Sequence, residues 1–102
     1  MVDLAQARRE VARWRILRIL DAGQPVGVNV AVIARVLNDT RLNLTNGQLN
    51  AELDYLAKLS LIAAESDGNR EIVAARLTAA GVDLVNYVSQ CPAGIARPKR
   101  NT

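Results

Sequence analysis

Residues 60–81 read SLIAAESDGNREIVAARLTAAG. Two alternating apolar stretches, Leu61-Ile62-Ala63-Ala64-Glu65 and Glu71-Ile72-Val73-Ala74-Ala75-Arg76-Leu77, meet at a polar break. The turn signal there is Asp67-Gly68 or Gly68-Asn69. Period-two alternation on either side of a Gly-containing turn is the pattern of a β-hairpin. The second strand runs straight into Leu77-Thr78-Ala79-Ala80-Gly81, a helix start. A chain otherwise rich in helix formers therefore carries one hairpin between two helices, and its neighbours decide what that hairpin is for.

Upstream, Asp3 is placed to cap a first helix that runs to about Ala22, where Gly23 and Pro25 stop it. At about 100° per residue its apolar positions split into two stripes. Leu4, Ala7, Val11 and Trp14 lie on one side, with Ala12, Ile16, Ile19 and Leu20 roughly opposite. One reading is a helix gripped on both sides within one domain. The other makes Leu4, Val11 and Trp14 a homodimer contact, since an exposed apolar patch usually marks one. After a turn at 24–28, Asn29 can cap a second helix ending near Asn38-Asp39, with Val32, Ile33, Val36 and Leu37 facing inward. The polar linker that follows is anchored by Leu42 and Leu44, and Thr45-Asn46-Gly47-Gln48 then fits a capping box.

The third helix buries Leu49, Leu53 and Leu56, and Leu59 closes it against the hairpin. Its opposite face is Gly47, Ala51, Asp54 and Lys58, flanked by Gln48, Asn50 and Tyr55. Thr78 caps a last helix through about Ser89, whose Val82, Val85 and Val88 allow packing on the body or pairing with a partner. The order helix, helix, helix, strand, strand, helix is a mainly α fold with a small β-hairpin. Residues 1–90 read as a single domain, and 91–102, with Pro92, Gly94 and Pro98, as an irregular basic C-terminal tail.

Composition narrows the function. The chain has 102 residues, half of them hydrophobic, which suits one modest core. With no Phe, two Tyr and one Trp, that core is aliphatic, and stacking platforms for single-stranded nucleic acid are missing. No His and a lone Cys91 leave no nitrogen–sulfur ligand set for zinc and no intramolecular disulfide. Without paired carboxylates, a nucleophile motif or a phosphate-cradling glycine loop, catalysis has no visible carrier. The expectation is a protein that is not an enzyme and takes neither cofactor nor metal. No apolar run approaches the roughly 20 residues of a membrane span, and residues 1–22 are studded with charge, so the chain reads as cytoplasmic. The net charge of +3 sits at the ends. Arg8, Arg9, Arg13, Arg15 and Arg18 outweigh Asp3, Glu10 and Asp21 at one end, and Arg97, Lys99 and Arg100 form the other. Residues 23–96 hold five basic against seven acidic side chains.

Leu53-x-x-Leu56-x-x-Leu59-x-Leu61-Ile62, then a hairpin and Arg76-Leu77-Thr78-x-x-Gly81, resembles the signature of winged helix-turn-helix regulators, including those labelled ArsR-like. The likeness covers about residues 12–88. Where those families usually have Gly, this chain has Ser60. More narrowly it resembles the small winged-helix proteins of Mu-like phages and prophages. The residues that carry this are Arg15-Ile16-Leu17-Arg18-Ile19-Leu20, Gly81-Val82-Asp83, and the Pro- and Arg-containing segment from Cys91 to Pro98.

The resemblance implies a dimeric, duplex-binding regulator of transcription with the third helix in the major groove and the hairpin beside it as a wing. Asn46, Gln48 and Asn50 are then the candidate base contacts, amides able to pair with adenine edges. Arg41, Thr45, Gly47, Lys58 and Arg70 are the candidate backbone or minor-groove contacts. Against this stand the other uses of the same residues: amides at a helix start also serve as caps, and arginines on a first helix also form a solvated face with local pairs such as Glu10 with Arg13. Asp54 on the docking face, and Glu65, Asp67 and Glu71 around Arg70, predict weak phosphate attraction. The alternative is a protein-interaction module on the same fold, such as a phage assembly or packaging accessory with a phage protein partner.

Overall fold

The computed structural model describes residues 2–100. Helix α1 (Leu4–Ala22) starts where the Asp3 side chain accepts from the Gln6 amide at 3.0 Å, and ends where the Gly23 N–H donates to the Ile19 and Leu20 carbonyls. A Cβ at Gly23 would overlap a Val28 methyl, so any larger residue there would push that side chain aside. Strand β1 (Val28–Asn29) follows and leads directly into α2 (Val30–Asp39), capped by Asn29, whose side chain accepts from the Ala31 amide at 2.8 Å. Helix α3 (Asn46–Lys58) opens with a complete capping box: the Gln48 amide donates to Thr45 Oγ1 at 3.1 Å, and the Thr45 amide to Gln48 Oε1 at 2.9 Å.

Strands β2 (Ile62–Ser66) and β3 (Ile72–Leu77) form the hairpin, and Thr78 caps α4 (Ala79–Val85). The sheet is antiparallel with order β1-β3-β2. Ile62 faces Leu77 and Ala64 faces Ala75 in one ladder; Val28 faces Ala75 in the other. The third strand was hidden in the sequence because residues 24–28 read as a turn, and two residues are too few for alternation to register. The last helix stops at Val85, short of Ser89, and Val88 is exposed.

Among the described residues the largest fully buried side chains, Ile16, Leu17, Leu20, Ile33, Leu37, Leu49, Leu53, Leu56 and Leu84, form the centre of the core, and all are aliphatic. Helix α1 runs through the middle, touching α2, α3, α4 and β3. On α2 the inward stripe is Val30, Ile33, Ala34 and Leu37; Val32 and Val36, expected inside, are exposed because they sit about 100° round the helix from Ile33 and Leu37. Leu59 is likewise exposed, and Leu61 takes its place in the core.

Residues 91–100 hold neither helix nor strand, yet they lie against the body. Ile95 is buried, the Ala96 amide donates to the Glu10 carbonyl at 3.1 Å, and the Tyr87 hydroxyl donates to the Pro98 carbonyl at 2.7 Å. Trp14 meets Tyr87 edge to face, ring centroids 6.2 Å apart, and is only 7% exposed. That corrects one expectation for α1. Trp14 belongs to the chain's own core, while Leu4 is 67% exposed and Val11 half-buried. The helix is gripped on both sides along its C-terminal half and bare at its start.

Candidate nucleic-acid interface

One face of α3 is covered by the core and the opposite one is open. Leu49, Glu52, Leu53 and Leu56 point inward, while Gly47, Ala51, Asp54 and Lys58 form an exposed strip along the helix. At its N-terminal half the strip carries at most a methyl group, so another surface can come close to the helix backbone there. Further along, Lys58 Nζ lies 3.0 Å from Asp54 Oδ2, an i,i+4 pair in which both side chains are more than half exposed. Such a pair adds little stability. Its effect here is to offset the Asp54 charge that would otherwise stand alone on the strip.

The three candidate amides differ in what they are free to do. Gln48 uses its Oε1 in the capping box. Asn50 is half-buried, and its Oδ1 accepts from the Ile72 amide at 2.9 Å, tying α3 to the first residue of β3. A bidentate adenine contact needs the amide oxygen and nitrogen together. Asn46 alone of the three is exposed with no side-chain hydrogen bond among the described residues. Thr45 and Gly47 flank it, exposed at the helix start. A groove of about 490 Å³ opens beside them, between Asn29 at the end of β1, Ala31 of α2, Asn46 and Asn50 of α3, and Ile72 and Val73 of β3.

Arg41 and Arg70 bracket this region. Both are exposed, and both hold left-handed backbone, at φ 63° and 66°. Arg41 sits just past α2, and Arg70 in the hairpin loop, where Gly68 is also left-handed and the Asn69 amide donates to Asp67 Oδ1 at 2.8 Å. Glu65, Asp67 and Glu71 are exposed around Arg70. Among the described residues neither arginine pairs with a carboxylate.

Sequence reasoning overlooked a charged node behind the helix. Arg13 Nε donates to Glu52 Oε1 at 2.6 Å, with both side chains at most one-tenth exposed, and Arg13 Nη1 donates to the Gly94 carbonyl at 2.9 Å. The same guanidinium lies 3.8 Å from the centre of the Tyr55 ring. The solvated-face reading of the α1 arginines offered Glu10 as a partner for Arg13; instead Arg13 fastens α1, α3 and the tail together, and Glu10 accepts from Gln6. The signal was present: Glu52 occupies the i+3 place of the stripe Leu49, Leu53, Leu56, and a carboxylate there requires a buried cation.

Among the described residues no group of three or more His, Cys, Asp or Glu is arranged to hold a metal, and no helix is long and apolar enough to cross a membrane. Three helices, a hairpin directly after the third, and a short strand before the second closing the sheet constitute a winged-helix fold. No family model and no curated protein matches the sequence. Among solved structures, the chain is similar to one described as "PadR-like Transcription factor from bacteroid fragilis", with a TM-score of 0.62 and 21% identity over 82% of each chain. At that identity the likeness concerns the fold.

Proposed function

We propose that this chain is a DNA-binding regulator of transcription that inserts α3 into the major groove of duplex DNA, with the β2–β3 hairpin as its wing. The observation that carries the reading is the open strip of α3. The rest of that helix is locked by the core, the capping box, the Asn50–Ile72 bond and the Arg13–Glu52 pair, while the strip is left bare and Asn46 stands exposed at the helix start beside it. A rigidly held, uncovered helix beside a hairpin suits groove reading. The description of the similar solved structure as a transcription factor agrees with it.

In this reading Asn46 is the principal base contact. Gln48 and Asn50 are positioned by their oxygens and offer their amide nitrogens, while Arg41, Thr45, Gly47, Lys58 and Arg70 meet the backbone or minor groove. The phage or prophage setting rests on the sequence pattern from Arg15 to Leu20 and from Gly81 to Pro98. The homodimer rests on the exposed Leu4 and the half-buried Val11, with Trp14 now inside the fold.

The test is selection of duplexes from a random pool, followed by titration of the selected site across a range of salt. Asn46→Ala is expected to relax the preference at one base position, a change of about 1–3 kcal/mol in discrimination. Arg41→Ala with Arg70→Ala is expected to weaken all sequences alike and lower the salt slope by about 1.8. A pool that yields no preferred sequence would remove the regulator. A second reading, a protein-interaction module with a phage protein partner, is favoured by the acidic hairpin loop around Arg70; absence of duplex binding at low salt would select it.

A further inference from the structure

Residues 97–100 gather cations around one ring. The guanidinium of Arg97 lies 4.4 Å from the centre of Tyr87 and that of Arg100 lies 5.3 Å from it. Lys99 lies between them in sequence, and all three line a shallow depression of about 520 Å³ together with Gln90 and Pro98. Among the described residues none of the three pairs with a carboxylate. Like charges held close together in this way call for an anion from outside the chain.

The chain leading to them is held from Gly94 to Pro98. Arg97 Nη1 donates to the Leu84 and Ser89 carbonyls, both at 2.9 Å, closing the end of α4. Pro98 is held by the Tyr87 hydroxyl, Ala96 by Glu10 and Gly94 by Arg13. Arg97 is thus occupied in the docking itself, while Lys99 and Arg100 are exposed, Arg100 lying over the same ring.

We propose that the docked tail is a second nucleic-acid contact, in which Lys99 and Arg100 bind backbone phosphates of duplex DNA from a pinned stretch of chain. The inference rests on the duplex-binding reading above and extends it to the opposite end of the sequence. A pinned presentation loses less conformational freedom on binding than a loose basic tail. Guanidinium and ammonium groups suit phosphate oxygens. An acidic peptide would find charge here but no deep socket for its side chains, because the depression is shallow and the Tyr87 ring is already taken by Trp14 and the two arginines. A phosphate backbone needs no such socket.

The test uses the full chain and a random-sequence duplex, followed by fluorescence anisotropy across a range of salt. Lys99→Gln with Arg100→Gln is expected to lower the slope of log K against log salt by about 1.8, two phosphate contacts' worth. Near-UV circular dichroism from the Trp14–Tyr87 pair reports whether the tail stays docked. Should the double variant disturb that signal, the single variants give the same reading, each lowering the slope by about 0.9. An unchanged slope would overturn the tail contact while leaving the α3 reading in place. Loss confined to the tail variants, with Arg41→Ala/Arg70→Ala binding like wild type, would uphold the tail and remove Arg41 and Arg70 as phosphate contacts. Wild type binding polyglutamate as tightly as duplex, or binding no duplex at all, would overturn the proposal.

Discussion

Ser60 holds φ at +60°, between the end of α3 and the start of β2, a conformation that favours glycine. The left-handed conformation costs a β-carbon-bearing residue on the order of 1 kcal/mol, and the chain accepts it because the Ser60 carbonyl receives the Thr78 hydroxyl at 2.7 Å. Ser60→Gly removes the strain and keeps the carbonyl, so it is expected to raise stability by up to about 1 kcal/mol in urea denaturation, the looser unfolded chain offsetting part of the gain. Gly81 has the opposite constraint: a Cβ there would overlap the Leu61 carbonyl oxygen, and the first turn of α4 lies against that backbone. The Arg13–Glu52 pair is buried, so Glu52→Ala strands a guanidinium in the interior and is expected to cost about 3–5 kcal/mol by the same measurement. Replacing both with aliphatic side chains should cost less, though the Gly94 carbonyl then loses its donor.

Among the elements, α3 is secured most thoroughly, by its capping box, the Leu49, Leu53 and Leu56 stripe, Asn50 and Glu52. The tail does for α1 what the hairpin does for α3. By bonding to Glu10 and Arg13 and inserting Ile95 into the core it holds to one side of α1. Ile95→Ala is therefore expected to destabilise the protein by roughly 2–5 kcal/mol, as for any core residue, rather than behave as a change in a loose end. Tryptophan emission should shift to longer wavelength if the segment detaches. A denaturation midpoint equal to wild type would show that the tail carries none of the fold's stability. The caps of all four helices were legible because each is a local pattern of a side-chain oxygen and an amide two or three residues on.

At the scale of the molecule, an aliphatic core surrounds α1, leaving bare its N-terminal turns, the strip of α3 and the exposed valines of α2. If two copies meet through the start of α1, Leu4→Asp should shift sedimentation equilibrium toward monomer without changing helicity, since Leu4 is packed on nothing that folding needs. Identical association of wild type and variant would place any dimer elsewhere. The hairpin, the capping residues and the helix order were determined by the sequence alone, because alternation, capping and helical periodicity act over a few residues of contiguous chain. The partner of Arg13, the docking of residues 91–100, the pairing of Val28-Asn29 with β3 and the burial of Trp14 were decided only by tertiary structure. Each of these joins segments far apart in the chain, and no local pattern records which distant groups a buried charge or an apolar side chain will meet.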